Sequence, residues 1–204
     1  MSSIIDNPKD YFRRLIPPRD ALMIELEAQA EKENIPIVGP VVGELLYILA
    51  AATKAERILE LGTATGYSAI YLARACEPVH GSVLTFENNG DMAERAQQNF
   101  RQAGVADRIE IHVGNALEVL PQLQESFDMI FMDIEKHDYV KLLPDCQRLL
   151  KRGGLLVADN VGFKDADEFN QAIAKNDVWK SVPVFAFLPL HSPENDAFCL
   201  AIRC

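Results

Sequence analysis

Residues 57–68 read Arg-Ile-Leu-Glu-Leu-Gly-Thr-Ala-Thr-Gly-Tyr-Ser, and an apolar helical pattern follows directly at 69–73. A short apolar run that ends at a glycine, turns through small residues and enters a helix is typical of the nucleotide-binding edge of a parallel α/β sheet. Gly62 and Gly66 permit a tight turn, and the first amides of the next helix face any anion bound there. The stretch lacks the middle glycine of the dinucleotide fingerprint and the Gly-Lys-Ser/Thr ending of a phosphate loop, so NAD and ATP are not favoured. Taken alone, it is equally consistent with a bare turn at the end of a strand.

The length and composition of the chain indicate one globular unit. The 204 residues are 49% hydrophobic, enough to bury a full core. We expect a single domain over 1–204, with N-terminal helices at 1–52 and a cofactor-binding α/β core at 53–204. The formal net charge of −10 argues against broad attraction to nucleic acid or acidic membranes.

The cysteines and the apolar runs bear on the compartment. The four cysteines show no paired metal spacing and no Cys-x-x-Cys, which favours buried or idle thiols in a reducing compartment. No apolar run approaches the roughly 18 residues that cross a bilayer, and the N-terminus has no signal-peptide hydrophobic core. We expect a cytoplasmic protein.

Strand and helix patterns alternate along the chain. Strands are predicted up to Gly62 and at 82–86, 109–113, 127–132, 155–158, 182–188 and 198–202. Helices are predicted at 19–34, 41–52, after Gly66, and at 91–103, 117–123, 139–150 and 165–176, with a glycine-stopped turn at 151–154. This alternation predicts an α/β fold with a doubly wound, mostly parallel, seven-stranded, Rossmann-like sheet and an N-terminal helical extension.

Polar residues directly follow several of the predicted strands. They should converge on the carboxyl edge of the sheet, where ligands of such sheets bind. They are Gly62, Glu87, Gly114, Asn115, Asp133, Asp159 and Asn160.

Two of these positions suit parts of a nucleoside. Glu87 follows the second strand, where a carboxylate can accept both hydrogen bonds of a ribose diol, or can simply be a solvated acid. Asn115 and Ala116 follow the third strand and are placed to meet an adenine edge, with a simple turn as the alternative.

Three further positions suit a metal ion. Asp133, Asp159 and Asn160 offer two carboxylates and an amide oxygen, which are ligands for Mg²⁺ or a similar ion rather than zinc. The alternative is that Asp159 and Asn160 merely begin a turn. Lys136 lies three residues after Asp133. A nearby dication favours a neutral amine, so Lys136 is a candidate general base or else a solvated loop lysine. His137 is more simply a surface residue.

Other notable side chains have simple structural interpretations. The basic residues near the start could form a phosphate-binding patch, although a solvated or subunit-contacting face is favoured; they are Lys9, Arg13, Arg14 and Arg19. Trp179, Phe185 and Phe187 are most simply core residues.

Three motifs in order resemble the metal-dependent O-methyltransferases of the caffeoyl-CoA and catechol type, within the class I S-adenosylmethionine-dependent methyltransferases. They are Glu60-Leu-Gly-Thr-Ala-Thr-Gly-Tyr-Ser68, Phe127-Asp-Met-Ile-Phe-Met-Asp133 and Leu155-Leu-Val-Ala-Asp-Asn-Val161. The resemblance implies that the first motif and Val38 surround the methionine part of S-adenosylmethionine, with Ser68 on its carboxylate and Glu87 on its ribose. The cofactor set so implied is Val38, Glu60, Gly62, Thr63, Gly66, Tyr67, Ser68, Glu87, Asn115, Ala116 and Asp133.

The resemblance also assigns the chemistry. It implies that Asp133, Asp159 and Asn160 hold a divalent metal, most simply Mg²⁺, and that Lys136 takes the proton from the attacking hydroxyl. It further suggests a homodimer. The sequence departs from the family at Asn115, at Ile134-Glu135, in the short connection after Asn160, and at residues 191–196, where relatives have a compact Gly-Asp-Gly turn.

These departures leave the acceptor open. The favoured function is methyl transfer to a hydroxyl of a small catechol-like substrate. One alternative is methylation of a hydroxylated tRNA base, with the N-terminal basic residues holding phosphates. The other is a noncatalytic cofactor-binding or scaffold protein.

Overall fold

The computed structural model describes residues 4–204, so the first three residues of the predicted N-terminal segment lie outside the described residues. The helices are α1 (Pro8–Arg13), α2 (Ala21–Glu33), α3 (Gly39–Ala52), α4 (Tyr67–Cys76), α5 (Gly90–Gln102), α6 (Ala116–Val119), α7 (Tyr139–Leu149) and α8 (Asp167–Ala174). The strands are β1 (Arg57–Leu61), β2 (Ser82–Glu87), β3 (Ile109–Val113), β4 (Phe127–Met132), β5 (Leu150–Ala158), β6 (Trp179–Phe187) and β7 (Asn195–Arg203).

Over residues 4–204 the strands form one seven-stranded sheet in the order β3-β2-β1-β4-β5-β7-β6. The pairs among β1 to β5 are parallel, whereas β7 runs antiparallel to both β5 and β6. The predicted doubly wound, mostly parallel fold is therefore confirmed. Since β1 and β4 are neighbours, the loops after them meet at the carboxyl edge.

Two apolar layers hold the helices on the sheet. Helices α2 to α5 pack on one face with Ile58 of β1, whereas α7 and α8 pack on the other face with Leu59. Alternate residues of a strand point to opposite faces, so Glu60 lies on the same face as Ile58. Glu60 is thus an acidic side chain within a buried strand.

Helix boundaries follow local sequence signals. Asp20 caps α2, its Oδ1 accepting from the Met23 amide at 2.9 Å. Gly104, with φ of 71°, follows α5 as the expected C-terminal stop.

The structure corrects three predictions. Residues 151–154 lie within β5 rather than in a turn, because Leu150 already pairs with Phe127 and a register shift follows that pair. The helix predicted from Asp165 begins at Asp167, after a 3₁₀ turn at Lys164–Ala166. Phe185 is not a core residue, since it is 73% exposed on the edge strand β6, whereas Trp179 on the same strand is buried.

Among residues 4–204, no helix has the length and apolar character needed to cross a bilayer.

Candidate active site

A cavity of about 630 Å³ opens at the carboxyl edge of the sheet. Its volume falls within the range of small-molecule sites. Nearly all the residues singled out in the sequence line it: Val38, Gly62, Thr63, Tyr67, Ser68, Glu87, Asn115, Ala116, Asp133, Lys136, Asp159 and Asn160. We call the part beside Gly62, Glu87 and Asn115 the donor end, and the part beside Lys136 and Asp159 the acceptor end.

The loop between β1 and α4 requires glycine at two positions. Gly62 has φ of 99°, and a Cβ there would lie 2.0 Å from the carbonyl oxygen of Asp133. Gly66 has φ of 85°, and a Cβ there would lie 2.3 Å from the Phe100 ring. The first glycine lets the ends of β1 and β4 meet, and the second lets α4 begin against α5.

Glu87 lies at the end of β2 and is fixed by backbone amides. Its Oε2 accepts from the Ala64 amide at 2.7 Å and its Oε1 accepts from the Asn89 amide at 2.9 Å. A carboxylate has about four acceptor positions, so each oxygen can accept one more hydrogen bond. The geometry therefore suits the ribose diol predicted for this position.

Asn115 and Ala116 mark the start of α6. The Asn115 Oδ1 accepts from the Leu117 amide at 2.9 Å, which makes Asn115 a helix cap. The cap uses one lone pair of Oδ1 and neither hydrogen of Nδ2. The adenine contact expected of Asn115 and Ala116 therefore stays a prediction.

Glu60 and Gly66 belong to the predicted cofactor set but lie beneath the cavity surface rather than on it. Glu60 is fully buried because its side chain points from β1 into the helix layer. Its Oε2 accepts from the Thr85 hydroxyl at 2.6 Å, whereas its Oε1 is without a partner. Burial, together with the charges of Asp133 and Glu87, raises the pKa of Glu60 to about 7.

Tyr67 and Thr63 have their hydroxyls engaged away from the open cavity. The Tyr67 hydroxyl donates to Glu27 Oε1 on α2 at 2.7 Å, and Glu27 is paired with Arg19 at 2.9 Å. The Thr63 and Thr85 hydroxyls are 2.6 Å apart. These contacts join the donor loop to α2 and to β2.

Asp133 and Lys136 meet at the acceptor end. Lys136 Nζ donates to Asp133 Oδ1 at 2.9 Å, and both side chains are partly exposed to the cavity. Removal from water raises the pKa of Asp133 above its ordinary value, the charge of Lys136 opposes the rise, and the charge of Asp159 adds to it. His137, in contrast, is exposed, as predicted.

Asp159 and Asn160 follow β5 and provide the other oxygen atoms predicted to bind metal. Asp159 Oδ1 is buried without a hydrogen-bond partner. Asn160 donates from Nδ2 to Asp196 Oδ2 at 2.6 Å, which leaves its amide oxygen as the end turned away from Asp196. Burying an unpaired carboxylate oxygen beside a second, partly desolvated carboxylate costs free energy. A hard cation bound between them would offset that cost. The residues present therefore fit a divalent metal.

Residues 4–204 contain no group of three or more His, Cys, Asp or Glu side chains arranged to hold a metal ion. A site here would depend on the amide oxygen of Asn160 as well as on the two aspartates.

Three supporting residues were not predicted from the sequence. The His191 ring lies 2.8 Å from Asp159 Oδ2 through Nε2 and 2.7 Å from the Pro193 carbonyl oxygen through Nδ1. Asp196 accepts from Asn160, and the Tyr139 hydroxyl lies 3.1 and 3.0 Å from the backbone oxygens of Met132 and Asp159. The sequence offered one hint of their role, since residues 191–196 depart from the Gly-Asp-Gly turn of relatives. That departure does not reveal which residues His191 and Asp196 contact.

The pKa of His191 reflects opposing causes. Burial alone lowers the pKa, but the hydrogen bond to Asp159 and the charge of that carboxylate outweigh burial and raise it above the ordinary value.

The N-terminal basic residues are partly engaged in ion pairs. Arg13 makes a bidentate contact with Glu194 at 2.6 and 2.7 Å, and Arg19 pairs with Glu27. The Arg13 hydrogen bond and the Leu190 amide lower the pKa of Glu194 to about 2. Lys9 and Arg13 both lie 5.4 Å from the centre of the Phe187 ring. These pairs weaken the case for a phosphate-binding patch, and the tRNA alternative stays a prediction.

Comparison with known proteins places this arrangement in a family. Residues 19–178 match the family model described as O-methyltransferase. The chain belongs to the O-methyltransferase family, within the class I S-adenosylmethionine-dependent methyltransferases.

Individual relatives agree with this assignment. The chain is 42% identical over 70% of its length to a catechol O-methyltransferase of Niastella koreensis and 45% identical over 58% of its length to one of Mycobacterium tuberculosis. These alignments span 66% and 54% of the two relatives' own lengths. Among solved structures, the O-methyltransferase TomG from Streptomyces achromogenes, in complex with SAM, is 30% identical with a TM-score of 0.86, covering 97% of this chain and 96% of TomG.

Proposed function

We propose that this chain transfers a methyl group from S-adenosylmethionine to a hydroxyl of a small catechol-like substrate, with a divalent metal, most simply Mg²⁺, at the acceptor end. The observation that carries the proposal is the placement of Lys136, Asp133 and the unpartnered Asp159 Oδ1 in the same cavity as the glycine loop. The names of the two bacterial relatives support the substrate class.

The donor end accounts for cofactor binding. The glycine loop and the first amides of α4 face the methionine end, because the N-terminus of a helix favours a carboxylate. Glu87 accepts from the ribose hydroxyls, and Asn115 and Ala116 cover the base. Both ends belong to one cavity, so S-adenosylmethionine held at the donor end would supply its methyl group to a substrate at the acceptor end.

The acceptor end accounts for proton removal. Asp133, Asp159 and Asn160 would hold the cation, whose charge favours an ionised acceptor hydroxyl and a neutral Lys136. Lys136 Nζ accepts the hydroxyl proton. An electron pair of the acceptor oxygen then forms a bond to the methyl carbon, and the carbon–sulfur bond breaks with its electron pair returning to sulfur. The products are the methyl ether, S-adenosylhomocysteine and protonated Lys136.

The surroundings of the acceptor end favour a small substrate that is at least partly exposed during turnover. Phe163 lies on the short connection after β5, lines the cavity and is 45% exposed, so it offers an aromatic surface without closing the site. The homodimer and the cytoplasmic location remain predictions.

The test is methyl transfer from labelled S-adenosylmethionine to a panel of catechols, before and after EDTA treatment. We expect activity to be lost with EDTA and restored by Mg²⁺. We also expect Asp133→Asn to lose most of its activity, because a neutral amide binds a divalent cation more weakly than a carboxylate does and carries no charge to pair with Lys136. Asp145→Asn is the matched control, since Asp145 pairs with Arg148 on α7 away from the cavity. Activity that survives EDTA, or near-native activity in Asp133→Asn, would contradict the metal mechanism.

A further inference from the structure

The segment between β6 and β7 brings a histidine under the acceptor end. The side chain of His191 is 1% exposed, as is that of Asp159. Nε2 lies 2.8 Å from Asp159 Oδ2 and Nδ1 lies 2.7 Å from the Pro193 carbonyl oxygen. Both ring nitrogens are thus engaged, and the ring is held from both ends.

This contact divides the two oxygens of Asp159. Oδ2 is bonded to His191, whereas Oδ1 is buried and has no partner. A carboxylate is planar, so holding one oxygen limits the positions that the other can occupy. Oδ1, which has no hydrogen-bond partner, is therefore the oxygen available to a cation.

Asn160, the next residue, is held by Asp196 near the start of β7. Asn160 Nδ2 donates to Asp196 Oδ2 at 2.6 Å, and a Cβ on Gly162 would lie 2.5 Å from Asp196 Oδ1. Both proposed ligands after β5 are therefore oriented by residues more than 30 positions later in the chain.

Fold stability alone does not explain the histidine. A buried ionisable pair generally stabilises a fold no better than apolar side chains of the same volume. Mutation of a group that hydrogen-bonds to a metal ligand, in contrast, commonly weakens metal affinity about 10–100-fold.

We propose that His191 is a positioning residue that orients Asp159 so that its Oδ1 faces the divalent cation. This inference rests on the proposed function, because it assumes a metal at the acceptor end. His191 acts through Asp159 rather than as a ligand, since both of its ring nitrogens are already engaged.

The test measures Mn²⁺ affinity by electron paramagnetic resonance, without acceptor and without methyl transfer. His191→Gln places an amide nitrogen near the position of Nε2 and keeps a donor for Asp159. In His191→Asn, the shorter amide can donate to the Pro193 carbonyl but does not reach Asp159. In His191→Met, the side chain fills the space and provides no hydrogen-bond donor. S-adenosylhomocysteine affinity, measured by calorimetry, reports whether each variant keeps the folded donor end.

We expect His191→Asn and His191→Met to weaken Mn²⁺ binding about 10–100-fold while S-adenosylhomocysteine affinity stays at the native value. His191→Gln should stay within about threefold of native Mn²⁺ affinity. Native Mn²⁺ affinity in His191→Asn or His191→Met, or equal weakening in His191→Gln, would overturn the role of His191. Absence of Mn²⁺ binding in the native protein would instead count against the metal in the proposed function, so the two failures are distinguishable.

Discussion

The donor end is held mainly by backbone groups, whereas the acceptor end is held by contacts between side chains. Glu87 accepts from two backbone amides, and Asn115 caps the helix that follows it in the chain. Asp159 and Asn160 depend instead on His191 and Asp196, 32 and 36 residues further along the chain.

This difference separates two kinds of constraint. Backbone amides are present in any sequence that folds this way, so beyond its two glycines and Glu87 the donor end follows largely from the fold. Side-chain partners can be exchanged while the sheet stays the same, so the acceptor end depends on the particular residues of this chain. Changes at the acceptor end should therefore alter chemistry and metal binding while cofactor affinity is retained.

The largest effect is expected from Lys136→Met. Loss of a general base lowers kcat/KM by about 10²–10⁴-fold, while S-adenosylhomocysteine affinity should stay native because Lys136 lies outside the donor end. Initial rates of labelled methyl transfer and calorimetric titration measure the two quantities.

Lys141→Met is the matched control. Lys141 also pairs with an aspartate three residues before it, Asp138, but its side chain is 54% exposed and it does not line the cavity. It should keep near-native activity. Equal losses in the two variants would show that charge alone, rather than a base at position 136, explains the effect.

Gly62→Ala should weaken binding at both the donor end and the acceptor end. Its new Cβ would lie 2.0 Å from the Asp133 carbonyl oxygen in a backbone conformation that alanine rarely adopts. We expect a loss on the order of 3 kcal/mol in the free energy of unfolding, with weaker binding of both S-adenosylhomocysteine and Mn²⁺. Urea unfolding and the two titrations test this.

Gly90→Ala serves as the comparison for Gly62→Ala. A Cβ at Gly90 meets no atom within 4 Å, and its φ is ordinary. Its free energy of unfolding should stay within about 1 kcal/mol of native. Gly62→Ala with native affinity at the acceptor end would mean that the two ends are independent.

Glu60→Gln should have a smaller effect that depends on pH. The pKa of Glu60 is about 7 in the folded protein, above its ordinary 4.5. The folded state therefore holds a proton that the unfolded state releases, and native stability falls as pH rises from about 4.5 to 7. Glutamine cannot ionise, so the variant should gain stability relative to native above pH 7, by about 3 kcal/mol at most.

Thermal unfolding at pH 5 and pH 8 measures this difference. The gain should be present at pH 8 and nearly absent at pH 5. A gain of the same size at both pH values would show that Glu60 is already ionised in the folded protein at pH 5.

The sequence predicted the sheet well because each buried strand is a short apolar run that ends in a glycine or a polar residue. The convergence of Asp133, Asp159 and Asn160 on one cavity could be predicted for the same reason, since parallel strands bring their carboxyl ends together. The burial of Glu60 beneath the cavity was not predicted, because the motif does not reveal which face of β1 carries its side chain. Its contact with the cofactor stays a prediction. His191 and Asp196 could not be predicted as supports, because no local pattern specifies a contact between the β6–β7 hairpin and the end of β5.

The reversed direction of β7 has a consequence for how such a protein can diversify. Because β7 is antiparallel to both β5 and β6, β6 runs parallel to β5. The hairpin that joins β6 to β7 therefore lies at the carboxyl edge of the sheet, beside the cavity. A hairpin can change its sequence without disturbing the parallel strands that form the donor end. The final hairpin can therefore vary in sequence, and with it the side chains that contact Asp159 and Asn160, while β1 to β5 keep their arrangement.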